Sequence, residues 1–130
     1  MYGNPQIHTI GDVRLESPPH REDGFRLFYR DLIGLRELPA DSDVSEPDGS
    51  EMVFQAHGRR LVVRMRVDAV PSAMRRRVVL LVDSLPDMRD RFEEHRIRTW
   101  LLEGMGVGDR RLQALDPGGN RVEMKQVHLL

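Results

Sequence analysis

"ALDPGGNRVEMKQ", residues 114–126, carries the densest structural information in the chain. Asp116-Pro117-Gly118-Gly119-Asn120 reads as a turn, because each of these residue types favours the backbone angles of a chain reversal. Alternation follows it. Val122 and Met124 fall on one side, Arg121, Glu123 and Lys125 on the other, the mark of a strand with one buried face. The sequence leaves one question open at this point: whether Glu123 faces a working site or a solvated sheet.

Working backward, "RRLQAL" is a strand, "EGMGVGD" a glycine-rich loop and "IRTWLL" a strand. Before them, Ser84 can cap a helix whose first turn holds Pro86 and Asp87, with an apolar stripe of Leu85, Met88 and Phe92. "RRVVLLV" before that helix is another strand. The first half repeats this order. "IHTIGDVRLE", from residue 7, is a strand ended by "SPPHRED", since two prolines cannot continue a sheet interior. In "GFRLFYRDLIG", Phe25, Phe28, Tyr29 and Leu32 are spaced as one face of a helix, and Gly34 sits where a C-terminal cap belongs. "LRELP", "EMVFQA" and "RRLVVRMRV" are strands, the last two around a His57-Gly58 turn, and "ADSDVSEPDGS" is a loop. The chain is therefore one domain, 1–130. Module one runs over about 7–67, a linker over 68–74 and module two over about 75–127. Each module has a small sheet and one helix, too little to bury both sheet faces alone, so the fold class is α+β with two paired modules.

Composition narrows the function classes. With 39% hydrophobic and 32% charged residues over 130 positions, the chain reads as a soluble globular domain. No apolar run approaches the roughly 20 residues of a membrane span, and "MYGNPQIHTIGD" lacks the regions of a signal peptide. A cytoplasmic location is the default expectation. The absence of cysteine excludes a disulfide framework, thiolate zinc and a Cys nucleophile. A net charge of −1 gives no overall pull toward nucleic acid or anionic lipid. Arg75-Arg76-Arg77 enters a strand, so its members alternate faces and form no phosphate-binding patch. The five histidines show no ligand spacing such as HxxxH.

The element order, with "FYRDLIGL" in the first helix and Asp116-Pro117-x-Gly119-Asn120-x-x-Glu123 before the last strand, resembles the vicinal oxygen chelate superfamily. This is the glyoxalase, bleomycin-resistance and extradiol-dioxygenase group. The resemblance covers nearly the whole chain and implies paired βαβββ modules, their mixed sheets cupped around a central cavity. It also implies four metal-ligand positions, one on the first and one on the last strand of each module. The fourth falls on Glu123, a good oxygen ligand. The first-strand position of module two falls on Arg77, which cannot ligate. The last-strand position of module one falls on Val62, which cannot ligate either. The remaining position falls near Asp12, or His8 if the strand starts earlier. So incomplete a quartet would hold a divalent metal weakly. No cofactor is expected; the alternative is a divalent metal, Fe, Mn, Zn or Ni.

Alternation assigns the cavity face. It takes Arg121, Glu123 and Lys125 from the last strand, and Arg60, Val62, Arg64 and Arg66 from 60–66. It takes Arg77, Val79 and Leu81 from 77–81, and Asp12, Arg14 and Glu16 from the first strand. Buried charges must pair, so Glu123 is expected against Arg77, and Asp12 or Glu16 against Arg14 or Arg64. Surplus arginines would receive an anionic or polar small molecule, with Val62, Val79 and Leu81 holding its apolar part. Trp100 and Met105 would form a lid beside the Gly104–Gly108 loop, or Trp100 would pack in the core. The leading function is a small-molecule-binding protein similar to the bleomycin-resistance group, without a complete metal site. The alternative is a metal-dependent glyoxalase-like lyase, isomerase or dioxygenase with Glu123 as catalytic base or ligand. The resemblance further implies a homodimer, and no nucleic-acid or membrane partner is expected.

Overall fold

Burial follows the alternation of the sequence along several of the strands, and this sets the layers of the fold. The computed structural model describes residues 6–7, 13–39, 51–69, 78–104 and 110–126. Module one contributes β2 (Val13–Ser17), helix α1 (Glu22–Phe25) continuing into a π-helical segment (Arg26–Ile33), β3 (Arg36–Leu38), β4 (Glu51–Ala56) and β5 (Arg59–Met65). Module two contributes β6 (Val78–Val82), α2 (Leu85–Glu94), β7 (Thr99–Glu103), β8 (Arg110–Leu115) and β9 (Arg121–Gln126). A two-residue strand, β1 (Gln6–Ile7), precedes them.

The modules have the same topology. The first sheet has the order β2-β5-β4-β3 and the second β1-β6-β9-β8-β7. In each module the first and last strands run parallel, β2 with β5 and β6 with β9, and the other module pairings are antiparallel. The structure corrects the single strand expected from residue 7. β1 pairs antiparallel with β6 of module two, whereas β2 pairs with β5 of module one. The apolar residues Ile7, Ile10, Val13 and Leu15 keep a period of two only from Val13 onward, and that change of phase was the available signal.

The first helix is also corrected, in geometry rather than place. Its expected stripe of Phe25, Phe28, Tyr29 and Leu32 is buried, but Ile33 is buried with it. From Arg26 the turns widen, and the N–H groups of Gly34 and Leu35 both bond to the carbonyl of Tyr29, at 3.1 and 2.8 Å. Gly34 closes the segment at φ 98°, a conformation that costs glycine little. The second helix matches expectation: Ser84 Oγ accepts from the N–H of Asp87 at 3.3 Å. The His57-Gly58 turn also forms, with both residues at positive φ, 50° and 78°, as a two-residue hairpin requires.

Both helices lie on the same side of the two sheets, and one core runs beneath them. It joins Phe25, Phe28, Tyr29 and Phe54 of module one to Leu80, Phe92, Leu112 and Met124 of module two. The Phe28 and Phe92 rings are 5.1 Å apart, and Arg91 Nη1 donates to the Leu32 carbonyl at 2.9 Å. Burying each such side chain stabilises by about 1.5–3 kcal/mol, so the shared core, more than any single polar contact, holds the modules together within one chain. No helix among the described residues is long and apolar enough to cross a membrane.

Candidate functional site

The faces turned away from the helices carry those of the residues selected by alternation that are described; Asp12 and Arg77 are not among them. On β9, Val122 and Met124 are fully buried under the helix, and Glu123 points the other way. Strand register then supplies its neighbours. Val79 lies directly beside Glu123 on β6, and Gln113 lies beside it on β8, with Trp100 next along on β7. An adjacent row runs Leu81, Lys125, Arg111, Leu102.

Glu123 is only 2% exposed although it lies on the face without helices. Its Oε1 accepts from Arg111 Nη1 at 3.1 Å and from Gln113 Nε2 at 3.3 Å. A carboxylate so buried requires this kind of charge-assisted pairing. The expected partner, Arg77, lies outside the described residues; Arg111 and Gln113 are the partners described. Neither was singled out from the sequence. They occupy alternate positions of "RRLQAL", so their shared face was legible, but which β9 residue they meet depends on cross-strand register.

Beside Glu123 is a pocket of about 340 Å³ lined by Trp100, Leu102, Gln113, Leu115 and Arg121. Trp100 is 37% exposed, and the Arg98 guanidinium lies over its ring at 5.1 Å. Of the two roles expected for Trp100, this excludes core packing: the ring forms a wall of the pocket from the second residue of β7. Most of the Gly104–Gly108 loop, on which the lid expectation rests, lies outside the described residues. Met105 lies outside the described residues. Leu102 and Leu115 leave a large part of their apolar surface exposed. The pocket therefore combines an apolar wall with amide and guanidinium donors, a composition suited to an amphipathic small molecule.

The corresponding face of the first sheet holds Arg14, Glu16, Arg60, Val62, Arg64 and Arg66. Arg14 lies directly beside Val62, the position equivalent to Glu123. Glu16 Oε1 pairs with Arg66 Nη1 at 3.5 Å, and Arg66 Nε reaches Asp68 at 3.2 Å. The pairing expected for Glu16 named Arg14 or Arg64; Arg66 is the partner described. These side chains are about 40% exposed or more, so the pairs contribute little stability. Asp12, the remaining candidate, lies outside the described residues, as does His8.

The turn before β9 is structural. Asp116 Oδ1 accepts from the N–H groups of Gly118 and Asn120, both at 2.9 Å, and Oδ2 accepts from the Tyr29 hydroxyl at 2.6 Å. Asn120 Nδ2 bonds both Asp116 carboxylate oxygens, and reaches the Glu16 carbonyl at 3.1 Å. The Arg21 guanidinium donates to the Pro117 carbonyl. Burial pushes the Asp116 carboxyl above its ordinary range, against the opposing pull of its hydrogen bonds. Burial, then the Asp116 charge, pushes Tyr29 well above its own. The Asp, Pro and Asn of the turn thus join the modules, and of this stretch Arg121 and Glu123 face the site.

No protein-family model and no curated protein matches the chain. Solved structures do. A glyoxalase family protein from Bacillus anthracis superposes with a TM-score of 0.75 at 21% identity, over 94% of this chain and 97% of its own. The fosfomycin resistance protein FosX from Listeria monocytogenes, complexed with Mn(II) and sulfate, gives 0.69 at 12% identity, over 95% and 94%. An antibiotic binding protein from a Streptomyces species gives 0.66 at 18% identity, over 95% and 100%. At these identities the likeness is one of fold: the two-module glyoxalase architecture, with open sheets rather than a closed barrel.

Proposed function

We propose that this glyoxalase-fold protein binds an amphipathic, anionic or polar small molecule on the helix-free face of its second sheet, without a complete metal site. The observation that carries the reading is the pairing of Glu123. Its Oε1 is engaged by Arg111 and Gln113, while Trp100, Leu102 and Leu115 offer an apolar wall beside it. The residues around two of the implied ligand positions, Glu123 and Val62, support it further. Val79 stands beside Glu123, and Arg14 and Val62 stand at the matching place in module one. Neither valine has a donor atom, and an arginine carries a permanent positive charge, so these residues do not fit a divalent cation. The structurally similar Streptomyces protein is an antibiotic binding protein, which makes sequestration of an organic ligand a reasonable precedent.

In this reading Arg121 and Arg98 attract the anionic part of the ligand, Gln113 orients it and Trp100 stacks on its ring. Trp100 is the sole tryptophan, so its fluorescence reports on the pocket directly. The test titrates naphthalene-2-carboxylate against purified protein while metal content is measured by mass spectrometry on the same preparation. Saturable quenching that weakens about tenfold in Arg121→Ala supports the reading. A stoichiometric divalent metal in protein expressed without added metal, or the absence of saturable quenching, overturns it. The exposed apolar residues of edge strand β7, Trp100, Leu101 and Leu102, also favour pairing with a second copy of the chain. Light scattering showing a monomer at all concentrations would remove that part.

A further inference from the structure

A larger cavity, about 370 Å³, lies on the opposite face of the second sheet, between the first turn of α2 and strands β7, β8 and β9. Its floor is Leu112, fully buried, and Leu85, 6% exposed. Leu101 walls it and is 43% exposed, an unusual condition for a leucine on the face that elsewhere packs under the helix. The polar contribution comes from Arg89 on α2, Arg110 on β8 and Gln126 on β9. No described residue lining it is acidic.

The backbone donors of the helix terminus are already spent. The Leu85 N–H donates to Gln126 Oε1 at 3.2 Å, the Asp87 N–H to Ser84 Oγ at 3.3 Å, and Pro86 has none. The terminus itself therefore offers nothing further to a ligand. The bond to Leu85 does fix the Gln126 amide, with its oxygen on the helix and its NH₂ group left as a positioned donor. Arg110 pairs with Glu103 at 3.5 Å, but both side chains are about two-thirds exposed, and so exposed a pair is readily exchanged for another carboxylate.

We propose that this cavity is a second binding site, for a carboxylate bearing a short aliphatic chain. Leu85, Leu101 and Leu112 take the chain, and Arg89 and Arg110 clamp the carboxylate, with Gln126 as an additional donor. The volume suits a molecule of roughly ten heavy atoms. This site does not rest on the pocket at Trp100. Successive residues of a strand face opposite ways, so Leu101 and Leu112 report on one site while Trp100 and Gln113 report on the other.

Octanoate is the probe, followed by amide chemical shifts in ¹H–¹⁵N spectra of the intact chain. Saturable shifts are expected at Leu85, Arg89, Leu101, Arg110 and Gln126. Acetate, which lacks the chain, and octanol, which lacks the charge, should each bind at least about tenfold more weakly. Arg89→Ala combined with Arg110→Ala should weaken octanoate by a similar factor, and Leu101→Trp, a change at a half-exposed position, should block the cavity while the spectrum stays folded. Shifts confined to Trp100, Gln113 and Arg121, octanol binding as well as octanoate, or unchanged affinity in the arginine variant would each overturn the proposal. Naphthalene-2-carboxylate shifts at the Gln113 and Arg121 amides that persist in Leu101→Trp keep the two sites separately testable.

Discussion

The Tyr29 hydroxyl donates to Asp116 Oδ2 at 2.6 Å, joining the first helix to a turn 87 residues later. Both groups are buried, and the bond bridges the two modules at the point where the chain enters its last strand. Loss of the donor leaves Asp116 with its backbone and Asn120 partners but removes its shortest bond. Tyr29→Phe should therefore lower the unfolding free energy by about 1–3 kcal/mol. Urea denaturation checks this, with the midpoint falling and the slope unchanged. A midpoint equal to that of the parent protein would mean the bond is replaceable.

The pH dependence of the same pair has a definite sign. Burial raises the folded-state pKa of Asp116 above its unfolded value near 3.8. The folded state therefore takes up a proton first as pH falls. The contribution of this residue to stability grows as pH drops through the raised value, and is complete below the unfolded one. Relative to Asp116→Asn, which does not titrate, the parent should gain stability on acidification from neutral pH. Unfolding free energies of both proteins between pH 7 and 4 measure the difference; a loss on acidification contradicts the assignment.

Two glycines test close packing against backbone conformation. A Cβ on Gly118 would stand 3.0 Å from the Glu16 carbonyl and 3.0 Å from Ser17 Cβ, so either the turn or β2 must shift. Gly118→Ala should cost about 1–3 kcal/mol. At Gly58 nothing stands within 4 Å of a built Cβ, but φ is +78°, and Gly58→Ala should cost only about 1 kcal/mol. Thermal unfolding ranks the two, and a reversed ranking would show that the turn relaxes freely around Gly118.

For the ion pair at the site, the direction of substitution matters. Arg111→Met removes the cation described beside buried Glu123 and should cost about 2–4 kcal/mol; Arg111 keeps some access to water, which holds the effect below the full range. Glu123→Gln retains hydrogen bonding and should cost less. Combining Arg111→Met with Glu123→Met should recover much of the loss. A double-mutant cycle on unfolding free energies checks the coupling, and strict additivity would show that the pair contributes no interaction of its own.

Much of the fold was legible locally. The burial of Phe25, Phe28, Tyr29 and Leu32 follows from their spacing, the Ser84 cap from its place before Pro86, and the inward turn of Glu123 from its position between Val122 and Met124. Each is a property of a few consecutive residues, and chain geometry orients them whatever the rest of the molecule does. The partners of Glu123 are of another kind. Arg111 and Gln113 reach it because β8 and β9 pair with Gln113 opposite Glu123, and a slip of one residue would have turned both away. The same holds for Trp100, whose place depends on β7 being the edge strand of its sheet among the described residues. It holds also for Asp116, which looks from the sequence like a turn residue alone. Its bond to Tyr29 exists because one core packs both modules together, so long-range register and packing, which no short stretch encodes, decided what the site contains.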